Sequence, residues 1–141
     1  MINQNRYSIL SRDIETNGLK EKSKELGKGI ISFSPLAQGL LSDRYLKGIP
    51  SDSRVKTDGR FLKEEYISQE LIERLKTLNE IAANRGQTLA EMSLAWLLKD
   101  GIVTSVLAGA SKPEQILDNI KAIENTAFTS EEIEKIDAAV Q

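Results

Sequence analysis

The sequence predicts an α/β fold in which parallel strands alternate with helices, and three observations point there. A short apolar run around Gly29 to Phe33 breaks into the loop Ser34-Pro35-Leu36-Ala37-Gln38-Gly39, which suits neither strand nor helix. Thr104-Ser105-Val106-Leu107 repeats the design, opening into Ala108-Gly109-Ala110-Ser111-Lys112-Pro113-Glu114 and then an amphipathic helical pattern. Helical periods with capping residues and terminal glycines lie between the two runs. Such alternation indicates a parallel sheet or barrel, whose ligands sit at the C-terminal ends of the strands.

Taken in order, Ile2-Asn3-Gln4 begins the chain abruptly, and the alternation Tyr7-Ser8-Ile9-Leu10 fits either the end of a strand or a packed loop. Asn17 precedes a short surface helix in which Leu19 and Leu26 share a face and Gly27 supplies a left-handed end. The strand Ile30 to Ser34 follows, then a long turn-rich section from Pro35 to Tyr66, of a length that is usually functional or disordered. From Ser68, Leu71, Ile72, Leu75, Leu78, Ile81 and Ala82 keep helical period up to Gly86. Thr88 and Glu91 form a capping box for a helix apolar over much of its circumference, Met92 to Leu98, which should pack on several sides. A strand near Val103 to Leu107 leads to a third helix, where Ser111 and Glu114 read as a capping box around Pro113 and Ile116, Ile120 and Ile123 line one face. Thr129 and Glu132 cap a last helix carrying Ile133, Ile136 and Val140.

A chain of 141 residues suffices for one domain, burying roughly 68–70% of its unfolded surface. With 40% hydrophobic residues, 28% charged residues, a formal charge of -2 and a pI near 5.3, it reads as soluble and globular without a basic footprint for nucleic acid. No run approaches the roughly 18 apolar residues of a membrane span, and residues 1–12 have no signal-peptide core, so a cytoplasmic location is expected. Cysteine and histidine are both absent. Thiolate metal sites and disulfides are thereby excluded, no metal centre is expected, and acid or base work would fall to carboxylates, Lys or Tyr.

The Gly109 to Lys112 loop offers backbone N–H groups, a hydroxyl and an ammonium at a helix N-terminus, a combination that suits a phosphate. Capping alone accounts for Ser111 and Glu114 equally well. Phe33 offers a ring face beside the small residues of the Ser34 to Gln38 loop, or else a packing side chain. Arg44 and Arg54 lie in the long loop, where they would clamp a phosphate or simply be solvated. Glu64-Glu65 and Glu131-Glu132 read as exposed helix-start charges. No Walker pattern, nucleophile elbow or Gly-x-Gly-x-x-Gly fingerprint is present. Residues alone lead to a phosphate-bearing ligand on an α/β scaffold.

The combination Gln4-x-x-Tyr7, Phe33-Ser34-Pro35-Leu36-Ala37-Gln38-Gly39-Leu40-Leu41, Tyr45, Gly48-Ile49-Pro50-x-x-Ser53-Arg54, Ala95-Trp96-Leu97 and Val106-Leu107-x-Gly109-Ala110-Ser111-x-x-x-Gln115-x-x-x-Asn119 resembles the aldo-keto reductases. Within them it is most similar to the branch of bacterial glyceraldehyde-3-phosphate reductases and potassium channel β subunits. The resemblance implies a (β/α)8 TIM barrel, of which this chain covers the last three strand–helix units and the C-terminal helix. Residues 1–141 would then be a single domain, an incomplete barrel lacking the N-terminal catalytic half, because a whole barrel takes roughly 250 residues.

It also implies NADPH as cofactor and, for the intact parent, reduction of a small aldehyde or ketone. By the likeness, Gln4 holds the nicotinamide carboxamide, Phe33 stacks on the nicotinamide, and Ser34, Leu36 and Gln38 hold pyrophosphate and ribose. Arg44, in place of the more usual lysine, and Arg54 match basic positions near the phosphates. Gly109, Ser111 and Gln115 fall at the adenosine 2′-phosphate, while Asp118, commonly Glu in relatives, and Asn119 match the adenine contacts. The family's Asp, Tyr, Lys and His tetrad maps nowhere here, so the fragment would bind cofactor and be inert alone, with a regulatory NADP-binding module as the alternative. Its exposed barrel edge would favour self-association, and neither nucleic acid nor membrane is an expected partner.

Overall fold

The computed structural model describes residues 1–46 and 67–141. Three parallel strands, β1 (Ile2–Arg6), β2 (Gly29–Phe33) and β3 (Ser105–Val106), form one sheet in the order β1-β2-β3. The helices α1 (Asp13–Thr16) and α2 (Leu19–Glu25) carry the chain from β1 to β2. Crossing from β2 to β3 uses the turns Ala37–Gly39 and Asp43–Tyr45, then α3 (Gln69–Asn84) and α4 (Leu89–Leu98). After β3 come α5 (Pro113–Ile120), a turn at Lys121–Glu124 and α6 (Ser130–Val140). No helix among the described residues is long and apolar enough to cross a membrane.

Strand β1 is built from polar residues, and its pattern of exposure explains how. Ile2, Gln4 and Arg6 point away from the helices and are exposed, whereas Asn3 and Asn5 point toward them. There the Asn3 side-chain amide donates to Ser23 Oγ at 3.3 Å and to the Gly29 carbonyl at 3.1 Å, and Asn5 donates to Asn3. Amide pairing thus replaces apolar packing on the helix side of this strand. Register pairs Ile2 with Gly29, Gln4 with Ile31 and Arg6 with Phe33 on one face. Gly29 is required there, since a Cβ would lie 2.9 Å from Ile2 Cδ1 and 3.0 Å from Thr104 Oγ1.

The apolar core lies on the other face. Ile30, Tyr7, Ile9, Leu41 and Tyr45 meet Leu75, Leu78 and Ile81 of α3, Met92, Trp96 and Leu97 of α4, and Ile136 of α6. Both long-helix starts follow the expected chemistry: Ser68 Oγ accepts from Leu71 N at 3.1 Å, and Thr88 and Glu91 complete a reciprocal capping box. All of Met92 to Leu97 is buried, as the all-round apolar pattern of α4 requires, and Ser93 hides its hydroxyl by donating to the Leu89 carbonyl at 2.7 Å. The Thr129–Glu132 box likewise opens α6.

Of the two forms the sequence left open for residues 7–10, the structure takes the packed loop, with an isolated bridge between Ser8 and Ser11. Two details differ from the sequence reading. Strand β2 ends at Phe33, because Ser34 turns into the left-handed region at φ 52°. At α5 the partner of Ser111 is Gln115, not Glu114, for a steric reason: Pro113 occupies the first helical position, which shifts the cap to Lys112 and the reciprocating side chain to residue 115.

Candidate functional site

Because the three strands are parallel, the Phe33–Ser34 and Leu107–Ala108 junctions leave the sheet at the same end. The Leu107 N–H donates to the Ser32 carbonyl at 2.8 Å, so the ladder continues to the last residue before the second loop. Two strand ends therefore deliver two loops side by side.

The first loop is the most strained stretch of backbone described. Ser34, Ala37 and Gln38 all take positive φ, at 52°, 48° and 59°, a region that costs an L-residue roughly 1–2 kcal/mol each. Hydrogen bonds hold the shape: Ala37 N donates to Ser34 O, while Gly39 N and Leu41 N both donate to the Leu36 carbonyl. Leu36 anchors the loop by packing into the apolar core. Gln38 Oε1 is buried and accepts from no group in the described protein. Strain and an orphaned acceptor in one six-residue turn mark a place shaped for something other than stability.

Phe33 does not belong to the core; it is half-buried on the helix-free face of the sheet, with the Arg6 guanidinium 5.9 Å from its ring centroid. Gln4 lies on that same face, one register step before Arg6. Arg6 was not singled out from the sequence, although the period-two pattern from Ile2 places it beside Gln4.

In the second loop Gly109 is exposed, and Gln115 Oε1 accepts from Ser111 N at 2.7 Å, Ser111 Oγ at 3.2 Å and Lys112 N at 3.2 Å. One side chain thus satisfies the donors that open α5. Asn119 is half-buried on the same side of α5 as Gln115, whereas Asp118 is exposed and pairs with Lys121 at 3.0 Å. Arg44 is exposed on the Asp43–Tyr45 turn, and Arg54 lies outside the described residues.

A separate polar cluster sits beneath the core. Lys20 Nζ donates to Tyr7 Oη at 3.1 Å and to Asp100 at 2.7 Å, and Tyr7 donates to Glu15. Burial, reinforced by the Glu15 carboxylate, pushes the Tyr7 hydroxyl far above its ordinary value of 10. A proton donor needs the opposite shift; Lys20, Tyr7, Glu15 and Asp100 instead tie α1, α2 and the end of β1 to the α4–β3 turn. Two surface depressions, about 540 Å³ between α3 and α6 and about 440 Å³ beside Ile2 and Leu26, lie away from both loops. No cluster of metal-ligating side chains occurs among the described residues.

Comparison with known proteins agrees with this architecture. The chain is 45% identical over 140 residues to an L-glyceraldehyde 3-phosphate reductase of Escherichia coli O157:H7, covering 97% of this chain and 40% of that one. A putative voltage-gated potassium channel subunit beta of Schizosaccharomyces pombe is 36% identical over 138 residues, covering 95% and 40%. Among solved structures, the aldo-keto reductase AKR11C1 from Bacillus halodurans in its holo form superposes with a TM-score of 0.73 at 28% identity, covering 100% of this chain and 43% of that one. The chain spans about two fifths of the length of the curated relatives it matches. Its partial α/β fold is that of the aldo-keto reductase TIM barrels. With parallel strands, strand-end loops and a match to the Aldo/keto reductase family running from residue 1 to residue 141, the chain belongs to that family.

Proposed function

We propose that this chain is the NADPH-binding, C-terminal portion of an aldo-keto reductase whose intact form reduces an aldehyde or ketone to an alcohol. The observation that carries the reading is the Ser34–Gln38 turn, where backbone strain and the buried, unpartnered Gln38 carbonyl coincide at the end of a parallel strand. An orphaned acceptor fits a ligand rich in hydroxyl donors, such as the ribose of a nucleotide. The residues present therefore suit the cofactor.

Bound NADPH supplies a hydride. Around it the chain's own residues bind and orient. Phe33 offers a ring face and Gln4 an amide on the helix-free side of the sheet, with Arg6 adding positive charge beside Phe33. Ser34, Leu36 and Gln38 present a rigid backbone turn to the middle of the nucleotide, and Arg44 and Arg54 are basic groups for its phosphates. Ser111 and Lys112 hold N–H donors at the start of α5, now occupied by Gln115, and Gly109 leaves the approach open because a Cβ there would meet nothing within 4 Å. Asp118 and Asn119 follow on α5 as the adenine-side pair.

Carbonyl reduction also needs an acid to protonate the developing alkoxide. Of the described tyrosines, Tyr45 is buried in the apolar core, and the Tyr7 hydroxyl is committed to Glu15 and Lys20. The proton donor is thus assigned to a part of the parent barrel that this chain does not span, leaving residues 1–141 an incomplete barrel without turnover of its own. The potassium channel subunit among the relatives supports a second reading, an NADP-binding regulatory module in which binding matters more than turnover.

A steady-state assay with NADPH and a reactive aldehyde, run beside a fluorescence titration of NADPH, tests the proposal. Saturable binding without turnover is expected; robust turnover by the purified chain contradicts it.

A further inference from the structure

Arg6 is the one charged side chain that β1 and β2 place on the helix-free face of the sheet. Register sets Ile2, Gln4 and Arg6 beside Gly29, Ile31 and Phe33, so the rest of that face is apolar or neutral. As the last residue of β1, Arg6 stands at the strand end from which the Phe33–Ser34 loop also leaves. Its side chain is exposed and forms neither a hydrogen bond nor an ion pair with any described residue, whereas Arg12, Arg74 and Arg85 each hold a carboxylate. The Phe33 ring, with its centroid 5.9 Å from the guanidinium, lies near the outer limit of a cation–π contact and answers little of the charge. An unpaired guanidinium, whose planar fork matches an oxyanion, is a place for an anion to bind.

We propose that Arg6 selects the substrate: the carbonyl compound reduced by the intact enzyme carries an oxyanion, a phosphate or carboxylate, which the Arg6 guanidinium holds in a bidentate pair beside Phe33. The inference rests on the reading of this face as the nicotinamide site. In that reading the cofactor's own phosphates fall to the Ser34–Gln38 turn, Arg44, Arg54 and the start of α5, which leaves Arg6 to the second ligand. The reacting carbonyl must approach the nicotinamide, and therefore the Phe33 ring it stacks on, so a charged group on a small substrate comes within reach of Arg6. Charge argues the same way. Once cofactor and substrate exclude water from this face, a lone guanidinium is costly unless an opposite charge meets it. Direct polarisation of the carbonyl by Arg6 would serve neutral and anionic substrates alike, and the test separates the two roles.

The test is an NMR titration of the NADPH-saturated 141-residue chain, followed at the Arg6 Nε–H and at the Gln4 and Phe33 amide signals. Glycerol 3-phosphate and lactate serve as anionic alcohols, and glycerol as their neutral counterpart. A saturable shift with either anion and none with glycerol is expected, and the tighter anion names the oxyanion. Arg6→Gln should weaken that binding by about tenfold or more, and Arg6→Lys, which keeps the charge without the fork, should recover part of it. Both variants should melt as the unsubstituted chain does, because the side chain is exposed. Signals that no anion moves, an equal response to glycerol, or anion binding indifferent to Arg6→Gln overturns the proposal. The NADPH titration that precedes these additions reports on the cofactor reading: no response at Gln38 and Ser111 removes both conclusions, whereas a cofactor response with Arg6 unmoved by anions removes only this one.

Discussion

The backbone N–H of Ser111 donates to the Gln115 side-chain carbonyl at 2.7 Å, so α5 caps the very terminus that the proposed function gives to a phosphate. Gln115 is thus a structural cap and, in that proposal, also a gate. Gln115→Ala should cost about 1 kcal/mol of stability and weaken NADPH binding modestly. Gln115→Glu keeps an acceptor for the same N–H groups and so keeps the stability, but it sets a carboxylate against the phosphate and should weaken NADPH by about tenfold or more. Thermal melts and NADPH fluorescence on both variants separate the two roles.

Gln38 pits stability against binding more sharply. Its left-handed φ of 59° and its buried, unpartnered carbonyl both cost the folded state. Gln38→Gly should therefore raise stability by about 0.5–1 kcal/mol while weakening NADPH, and a chemical melt with a parallel titration checks both directions. A variant that loses stability would show that the turn is shaped by packing alone.

Lys99 carries the clearest pH dependence. Its ammonium is buried without a hydrogen-bond partner, 3.7 Å over the Trp96 ring, with the Arg12 guanidinium 4.5 Å from that ring and Lys20, Glu15 and Asp100 in the same cluster. Burial, aided by the Lys20 charge, lowers Lys99 from 10.5 to about 8. A base with a depressed folded value penalises folding fully below that value, and the penalty is relieved as pH rises from about 8 toward 10.5. Wild-type stability should climb over that window. Lys99→Met should be more stable at pH 7 by about 1–3 kcal/mol, after allowance for the lost attraction to the indole, and should lack the climb.

Arg85 ties the end of α3 to the start of α6. Its side chain, 3% exposed, bonds Glu132 at 2.9 Å, the Ala127 carbonyl at 2.8 Å and the Asn125 carbonyl at 3.1 Å, and lies 3.7 Å over the Phe128 ring. Burial alone would raise the Glu132 carboxyl, but the Thr129 backbone and Arg85 outweigh it and hold the group below its ordinary value. Arg85→Ala should cost about 1–3 kcal/mol, chiefly from the lost bonds to the Ala127 and Asn125 carbonyls, and melt α6 first, visible as early loss of hydrogen-exchange protection there. Lysine, lacking the planar fork, should rescue little.

What was legible in the sequence was mostly local. The Thr88–Glu91 and Thr129–Glu132 boxes depend on a three-residue spacing, which is written in the chain itself, and the apolar girth of Met92 to Leu97 announced its own burial. The α5 cap is written in the chain as well, since Pro113 at the first helical position sets Lys112 and Gln115 in their places. Strand β1 was not legible, because Ile2-Asn3-Gln4-Asn5-Arg6 owes its place to amides meeting Ser23 and Gly29, contacts across 20 and 26 residues. The stripe of Ile116, Ile120 and Ile123 is exposed, for periodicity tells which residues share a side and not whether anything covers it. The proposed site residues Phe33, Ser34, Leu36, Gln38, Gly109 and Ser111 fall on strand ends and loops outlined by the apolar runs, while Gln4 sits on polar β1, and the Lys20–Tyr7–Asp100 brace joins three distant segments without a sequence signal.

Calorimetric titration of the folded 141-residue chain with NADPH tests the central claim most directly. One saturable site, weakened by about tenfold in Phe33→Ala and in Gln115→Glu, is the result this account predicts. Absence of binding by a chain that melts cooperatively, or binding indifferent to both substitutions, would contradict it.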